Sequence, residues 1–137
     1  MSGIPTKIVV DTNVLFMAIY DSRGKAGKII EAAHEKKIEL LAPISVKEEL
    51  TRILKRELKT TESETEFIKK SLPIHWIEKE IYQEALPKTT VKHKPDKAVE
   101  ALAMILDCGI LTADKHFEGN KHKININNLL AKLRKLD

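Results

Sequence analysis

The sequence predicts an α/β protein with a mostly parallel central sheet of four to five strands flanked by helices. Two observations predict it. Short aliphatic runs alternate with longer segments that carry apolar residues at helical spacing, and two of the short runs lead directly to an aspartate. With 137 residues and 42% hydrophobic content, the chain can bury one sizeable core. We therefore expect one domain over residues 1–137.

The first half of the chain predicts two strands and three helices. Residues 7–10 are a β-branched run that ends at Asp11, and the apolar residues after it predict a helix that follows the strand directly. Pro43 suits the first turn of a later helix because its φ is fixed. The remaining elements are a turn at residues 21–24, a helix over 25–37, a strand over 38–42 and the helix over 43–59.

Two adjacent acids in the helix over residues 43–59 are not equivalent. Glu49 falls on the apolar stripe that includes Val46, Leu50 and Ile53, whereas Glu48 is on another face. One acid should therefore face the protein body and the other should face water.

The second half predicts further alternation of helices and strands. Asp96 should open a helix that is apolar on nearly every side, and Gly109 should stop it. Residues 110–112 then form a short strand that reaches Asp114 through Ala113. The other elements are helices over 61–72, 79–86 and 127–136, strands over 74–77 and 124–126, and a basic loop over 87–95.

Composition excludes several classes of protein. The longest apolar run, residues 14–20, is too short to cross a bilayer, and the N-terminus lacks a signal-peptide pattern, so we expect a cytoplasmic protein. Cys108 is the only cysteine and predicts a buried, inert thiol. The net charge of +4 favours polyanionic partners. Glu outnumbers Asp 14 to 6, so the few aspartates need individual explanations.

Four acids are candidate site residues. In an open parallel sheet, functional groups collect beyond the carboxyl ends of the strands, near the point where strand order reverses. Asp11 and Asp114 each follow the carboxyl end of a predicted strand. Asp96 heads the helix that precedes the strand leading to Asp114, and Glu49 lies on the inward face of an earlier helix. Clustered carboxylates repel one another unless a cation neutralises them. Mg²⁺ or Mn²⁺ would do so and would bridge to phosphate oxygens, which predicts phosphodiester hydrolysis.

Four fragments, in their order and spacing, resemble a PIN domain. They are Val9-Val10-Asp11-Thr12-Asn13, Glu48-Glu49-Leu50, Asp96 before an alanine-rich helix, and Leu111-Thr112-Ala113-Asp114, within residues 8–117. The resemblance implies a ribonuclease that cleaves single-stranded or structured RNA. It implies that Asp11, Glu49, Asp96 and Asp114 bind Mg²⁺ or Mn²⁺, and that Asn13 and Thr112 are polar groups that orient the carboxylates.

Other interpretations of these residues stay open. Asp11, Asp96 and Asp114 could simply cap helices or turns, and Glu49 could form a surface ion pair. Glu48 could replace Glu49 if the helix register differs, and Glu100 could add a further acid because it follows Asp96 by four residues. His93 and His116 are expected to be bystanders. The basic loop, with residues 121–123, could grip RNA phosphates or be a solvated surface.

Three functions compete. The first is an endoribonuclease, either the toxin of a toxin and antitoxin pair or an RNA-processing enzyme; an antitoxin would cover the cleft, and residues 43–72 offer a surface for it or for a homodimer. The second is a catalytically silent module that binds RNA or protein. The third, a phosphoacceptor domain, fits the start Asp11-Thr12-Asn13 poorly.

Overall fold

The computed structural model describes residues 6–136 and contains the predicted parallel sheet. Within that range the sheet has five strands in the order β3-β2-β1-β4-β5, and every neighbouring pair is parallel. The strands are β1 (Thr6–Val10), β2 (Ile38–Pro43), β3 (Ile74–Ile77), β4 (Gly109–Leu111) and β5 (Lys123–Ile124).

Helices connect the strands, as parallel pairing requires. They are α1 (Thr12–Tyr20), α2 (Lys25–His34), α3 (Ile44–Glu57), α4 (Glu62–Ser71), α5 (Lys79–Tyr82), α6 (Lys94–Leu106) and α7 (Ile126–Arg134), with 3₁₀ helices over Gln83–Lys88 and Lys115–Phe117. The central strand β1 is buried on both sides of the sheet, since Ile8, Val9 and Val10 expose no surface.

The strand order reverses beside β1. Its Val9 is in register with Leu41 of β2 on one side, and its Val10 is in register with Leu111 of β4 on the other. The chain extends the sheet from β1 through β2 to β3, then returns to add β4 and β5 on the opposite side. The carboxyl ends of β1 and β4 therefore flank the crevice where parallel sheets of this kind bind ligands.

Two helix starts differ from the sequence prediction. Pro43 ends β2 and caps α3 with extended backbone, at φ −66° and ψ 151°, so it precedes the first helical turn. The fixed φ of proline is compatible with both conformations, and ψ decided between them. Helix α6 begins at Lys94 with His93 as its N-cap. Asp96 is therefore the third helical residue and does not cap the helix.

The end of α6 also differs. The predicted stop at Gly109 is wrong, because Asp107 ends the helix with left-handed backbone at φ 50° and donates its N–H to helix carbonyls. Gly109 lies inside β4, where an added Cβ would come within 2.2 Å of the Ile124 side chain. The absence of a side chain at Gly109 lets β5 pack closely.

Within residues 6–136, every helix is too short or too polar to span a bilayer. Cys108 is half-buried, and burial raises the pKa of its thiol. A raised pKa lowers the thiolate fraction, although the cysteine is less buried than the sequence predicted.

Candidate functional site

A small cavity of about 50 Å³ lies beyond the carboxyl ends of β1 and β4. All four predicted acids line it. The lining residues are Asp11, Thr12, Asn13, Val46, Glu49, His93, Pro95, Asp96, Val99 and Asp114. The volume suits about one or two water molecules, or one cation with part of its hydration shell.

Asp11 is held in a fixed orientation at the bottom of the site. It follows β1 directly, is 5% exposed, and uses both carboxylate oxygens. Oδ1 accepts a hydrogen bond of 3.2 Å from the Val14 N–H, and Oδ2 accepts one from the Thr112 hydroxyl. Oδ1 thus caps α1 while Oδ2 is held by Thr112, and the same carboxylate lines the cavity.

The environment of Asp11 disfavours its ionised form. Burial is the main cause and raises the pKa of this carboxyl from 3.8 to about 6. The hydrogen bonds from Thr112 and Val14 lower the pKa, while the charges of Asp114 and Asp96 raise it further. The three aspartates are therefore close enough to repel one another, as expected for an acidic site without a cation.

Thr112 links the ends of the two central strands. It is buried, donates its hydroxyl hydrogen to Asp11, and accepts a hydrogen bond of 2.9 Å from the Asp114 N–H. Asp114 in turn accepts a bond of 2.8 Å from the His116 N–H, which closes the turn after β4. The Thr112 hydroxyl thus couples the orientation of Asp11 to the backbone that carries Asp114.

Helix α3 contributes Glu49. Its side chain is half-buried in the cavity and its Oε1 accepts a hydrogen bond from the Thr12 hydroxyl. Glu48 is exposed and does not line the cavity, as the predicted difference between these two positions requires. Successive helical side chains point about 100° apart, so both acids cannot enter the same cavity.

The residues around Asp11 divide their roles differently from the sequence prediction. Thr12, not considered from the sequence, is the group that hydrogen-bonds Glu49. Asn13 also lines the cavity, but it is exposed at the rim. The hydroxyl of Thr12, next to Asp11, was the sequence signal for this contact. Whether Thr12 or Asn13 turns inward, however, depends on the rotation of α1.

Two histidines expected from the sequence to be bystanders lie against Asp96. Asp96 Oδ2 is 3.4 Å from His93 Nδ1 and 2.9 Å from His116 Nδ1, and His116 Nδ1 is also 2.9 Å from Asp114 Oδ1. His93 precedes Asp96 by three residues and His116 follows Asp114 by two. The closeness of each histidine to a candidate aspartate along the chain was the sequence signal that both could lie near the site.

The buried Oδ2 of Asp96 receives no well-aligned hydrogen bond from residues 6–136, although His116 Nδ1 lies 2.9 Å from it. The residue is only 7% exposed. Burial and the charge of Asp114 raise the pKa of this carboxyl, while the two histidines lower it. An unsatisfied buried carboxylate oxygen is costly unless a cation binds it.

Glu100 does not line the cavity, so the structure does not support the possibility that it adds a further acid to the site. The residue is 3% exposed and lies one helical turn beyond Asp96, beneath residues 89–91. Its carboxylate accepts bonds from the Thr90 N–H (2.7 Å), the Thr90 hydroxyl (2.7 Å), the Val91 N–H (3.0 Å) and Asn120 Nδ2 (3.0 Å). Burial raises its pKa, but these bonds outweigh burial and leave the pKa lowered.

Glu100 explains why the basic loop lies beside the cavity. A groove of about 340 Å³ there is lined by residues 90–93, His116 and residues 118–120, so it shares His93 with the cavity. Lys97 Nζ also holds the loop through a 2.9 Å bond to the Val91 carbonyl. Lys92, Lys94 and Lys115 are exposed around this region and supply positive charge.

A larger groove of about 460 Å³ lies at the amino ends of β2 and β3. Among the described residues, its lining contains one carboxylate, Glu39, together with His34 and His75. Size alone would favour this groove, but the buried, mutually repelling carboxylates are in the smaller cavity. We assign the site by its charge and burial.

The residues of the cavity fit a divalent cation. Four carboxylates converge, one buried oxygen receives no well-aligned hydrogen bond from the described residues, and the pKa of Asp11 is raised by burial and by neighbouring charge. Hard oxygen donors of this kind are the ligands of Mg²⁺ and Mn²⁺. The fold and the cavity together define a class: a parallel α/β protein with an acidic cleft where its strand order reverses.

The family follows from comparison with known proteins. A family model described as PIN domain matches residues 9–133, which is most of the chain. The chain therefore belongs to the PIN domain family, as the sequence fragments predict.

Solved structures share the fold. A toxin-antitoxin complex from Klebsiella pneumoniae contains a chain that is 18% identical with a TM-score of 0.66, and the match covers 87% of this chain and 97% of that one. VapBC2 from Rickettsia felis, bound to a DNA fragment from its promoter, is 15% identical with a TM-score of 0.61 and coverage of 87% and 96%. The search of curated proteins found no match.

Proposed function

We propose that this protein is a metal-dependent endoribonuclease that hydrolyses RNA phosphodiester bonds at the cavity lined by Asp11, Glu49, Asp96 and Asp114. The observation that carries the proposal is the convergence of these four carboxylates in one small, partly buried cavity. A protein that only binds RNA would gain nothing from placing negative charge there. The alternative of a catalytically silent module is therefore disfavoured.

The chain supplies a preorganised set of oxygen ligands. Thr112 and Val14 hold the carboxylate of Asp11, and Thr12 holds that of Glu49, so these side chains need not reorganise when a cation binds. We assign Mg²⁺ or Mn²⁺ to the four carboxylates, and a bound ion of this kind lowers the pKa of water and neutralises phosphate charge. Thr112 acts as a positioning residue, and Asn13 at the rim can contact substrate.

The surroundings support a phosphodiester substrate. The groove beside the cavity is bordered by Lys92 and ends at the two histidines, so a chain of phosphates can follow it to the carboxylates. We assign single-stranded or structured RNA as the substrate, because membership of the PIN family and the basic loop both favour it.

Within this activity we propose that the protein is the toxin of a toxin and antitoxin pair, acting in the cytoplasm. The two similar structures are a toxin-antitoxin complex and VapBC2, which supports this role over RNA processing. The proposed antitoxin would cover the acidic cleft. The outer face of α3 and α4 is our candidate surface for that partner or a homodimer, because Phe67 of α4 is 73% exposed there.

A metal titration tests the proposal. The purified full chain is freed of metal, titrated with Mg²⁺ or Mn²⁺, and mixed with several labelled RNAs and a matched DNA. We expect cleavage of RNA only after metal is added. Metal binding without cleavage of any RNA would instead support the silent module. For the toxin role, induced expression should arrest growth and co-expression of a small upstream reading frame should relieve the arrest.

The pair Glu49 and Glu48 offers a matched test of the cavity. Glu49→Gln should reduce metal-dependent cleavage by about 10²-fold, because it removes one carboxylate charge from the site. Glu48→Gln, one residue away on the same helix but exposed, should stay within about two-fold of the wild-type rate. Initial cleavage rates at saturating metal measure both. Equal losses in the two variants would show that α3 does not present Glu49 to the reaction.

A further inference from the structure

The two histidines at the mouth of the cavity are arranged as a pair. The rings of His93 and His116 stack with centroids 4.5 Å apart and an interplanar angle of 22°. Both Nδ1 atoms face the same oxygen, Asp96 Oδ2, at 3.4 and 2.9 Å. One possible ligand atom from each of His93, Asp96 and His116 lies within 4.8 Å of those of the other two residues. Stacking thus directs two nitrogen donors at one carboxylate.

These distances match those of ligands around one ion. Atoms bound about 2.1 Å from a shared cation lie about 3.0 to 3.4 Å apart at angles of about 90 to 110°. The His93 and His116 contacts to Asp96 fall close to that range. Both histidine side chains are about half exposed, at 51% and 49%, so an ion can reach them from solvent.

The buried oxygen of Asp96 is an independent observation that points to a ligand. The Asp96 side chain is 10% exposed, yet Oδ2 receives no well-aligned hydrogen bond from the part of the chain that the structure describes. Two imidazole nitrogens and a carboxylate oxygen converge on the same space, and their electron pairs repel one another unless a cation or a proton lies between them. A cation between them removes this repulsion and satisfies the buried oxygen.

We propose that His93 Nδ1, Asp96 Oδ2 and His116 Nδ1 form a site for a divalent transition-metal ion of the Zn²⁺ and Co²⁺ type. The donor set decides the class of ion. Imidazole nitrogen suits these ions, whereas Mg²⁺ takes oxygen ligands. The inference deepens the proposed function, on which it rests in part, because it assigns a nitrogen-containing site next to the four carboxylates and sharing Asp96 with them.

Co²⁺ absorption and Zn²⁺ calorimetry test this site without any assay of cleavage. Metal-free full-length protein is titrated with Co²⁺, whose visible spectrum reports nitrogen ligands, then with Zn²⁺ in the presence of millimolar Mg²⁺. We expect one equivalent of Zn²⁺ to displace Co²⁺ and Mg²⁺ to leave the spectrum unchanged. His93→Ala and His116→Ala should each weaken Zn²⁺ binding by at least about ten-fold. Circular dichroism confirms that each variant is folded.

The control is His75→Ala, since His75 is exposed on β3 beside Glu39 and away from the cavity. It should leave Zn²⁺ affinity unchanged. Equal affinity in the wild type and a folded double variant of His93 and His116 would overturn the proposal and leave the two histidines as hydrogen-bonding neighbours of the carboxylates. Histidine-dependent Co²⁺ binding without RNA cleavage would overturn the nuclease assignment alone. Mg²⁺-dependent cleavage without histidine-dependent binding would overturn this inference alone.

Discussion

Asp11→Asn is expected to lower metal-dependent RNA cleavage by about 10³-fold or more. Asp11 is the most buried of the three aspartates and is fixed by bonds from Val14 and Thr112. An amide has nearly the same shape, and the Thr112 hydroxyl can reverse to accept from it, so the fold is retained. The loss should therefore come from the missing charge. Single-turnover cleavage at saturating Mn²⁺ measures it.

The same substitution should stabilise the metal-free protein at neutral pH. Burial raises the pKa of Asp11 from 3.8 to about 6, so keeping it ionised at pH 7 costs the folded state up to about 3 kcal/mol. The folded state binds the proton more tightly than the unfolded state does. The stability that the folded state gains by binding this proton is therefore fully present below about pH 4 and is lost as pH rises through about 6.

Urea unfolding of chelator-treated protein at pH 7 and pH 4 checks this sign. The advantage of Asp11→Asn should be clear at pH 7 and should shrink towards pH 4. Asp107→Asn is the matched control, because Asp107 is exposed and its left-handed backbone suits Asn equally well. Full cleavage activity in Asp11→Asn, or an advantage that grows at low pH, would contradict the assignment of Asp11.

Glu100→Ala is expected to lower the free energy of unfolding by about 2–4 kcal/mol. The change leaves four donors without their acceptor, two of them the backbone N–H groups of Thr90 and Val91. Val91 is buried, so water cannot fully replace the lost bonds. The loop should become mobile, and His93, two residues further on, should lose its position beside Asp96.

Denaturant unfolding and amide hydrogen exchange at Thr90 and Val91 measure these effects. Glu100→Gln should give a smaller loss, since the Thr90 hydroxyl can accept from the new amide. Glu118→Ala, an exposed acid bordering the same groove, should change stability by less than about 0.5 kcal/mol. Unchanged exchange at Thr90 in Glu100→Ala would show that the loop is held by other contacts.

The stabilising effect of Glu100 should also depend on pH. Its pKa is lowered below the ordinary value of 4.5, because four hydrogen bonds outweigh the effect of burial. The unfolded state then takes up the proton first as pH falls. Glu100 therefore stabilises the protein above pH 4.5, and this contribution is lost as pH falls through the lowered value.

The sequence predicted most of the fold and the positions of four acids because those features have local signals. A β-branched run followed by Asp11, and another leading to Asp114, mark the ends of two buried strands. Helical periodicity distinguished Glu49 from Glu48 without tertiary information. The parallel arrangement then placed the strand ends side by side.

The sequence predictions failed at contacts between residues that are far apart along the chain, because local patterns do not determine such contacts. Helical spacing put Glu100 on the face of Asp96, but one turn along the axis carried it out of the cavity and under the loop. The contact between His116 and Asp96 joins residues twenty positions apart through an irregular segment. Asp107 adopts the left-handed backbone that a glycine more often supplies at a helix end, so Gly109 is free to serve the sheet instead.

By itself, the sequence determined the class of fold, the strand ends that carry the aspartates and the helix face that carries Glu49, since these follow from periodicities of two and 3.6 residues. Only the tertiary structure decided that Thr12 orients Glu49, that Glu100 clamps a loop, and that two histidines share an oxygen of Asp96. Such contacts depend on the relative rotation and spacing of elements packed through the core, which no local pattern encodes.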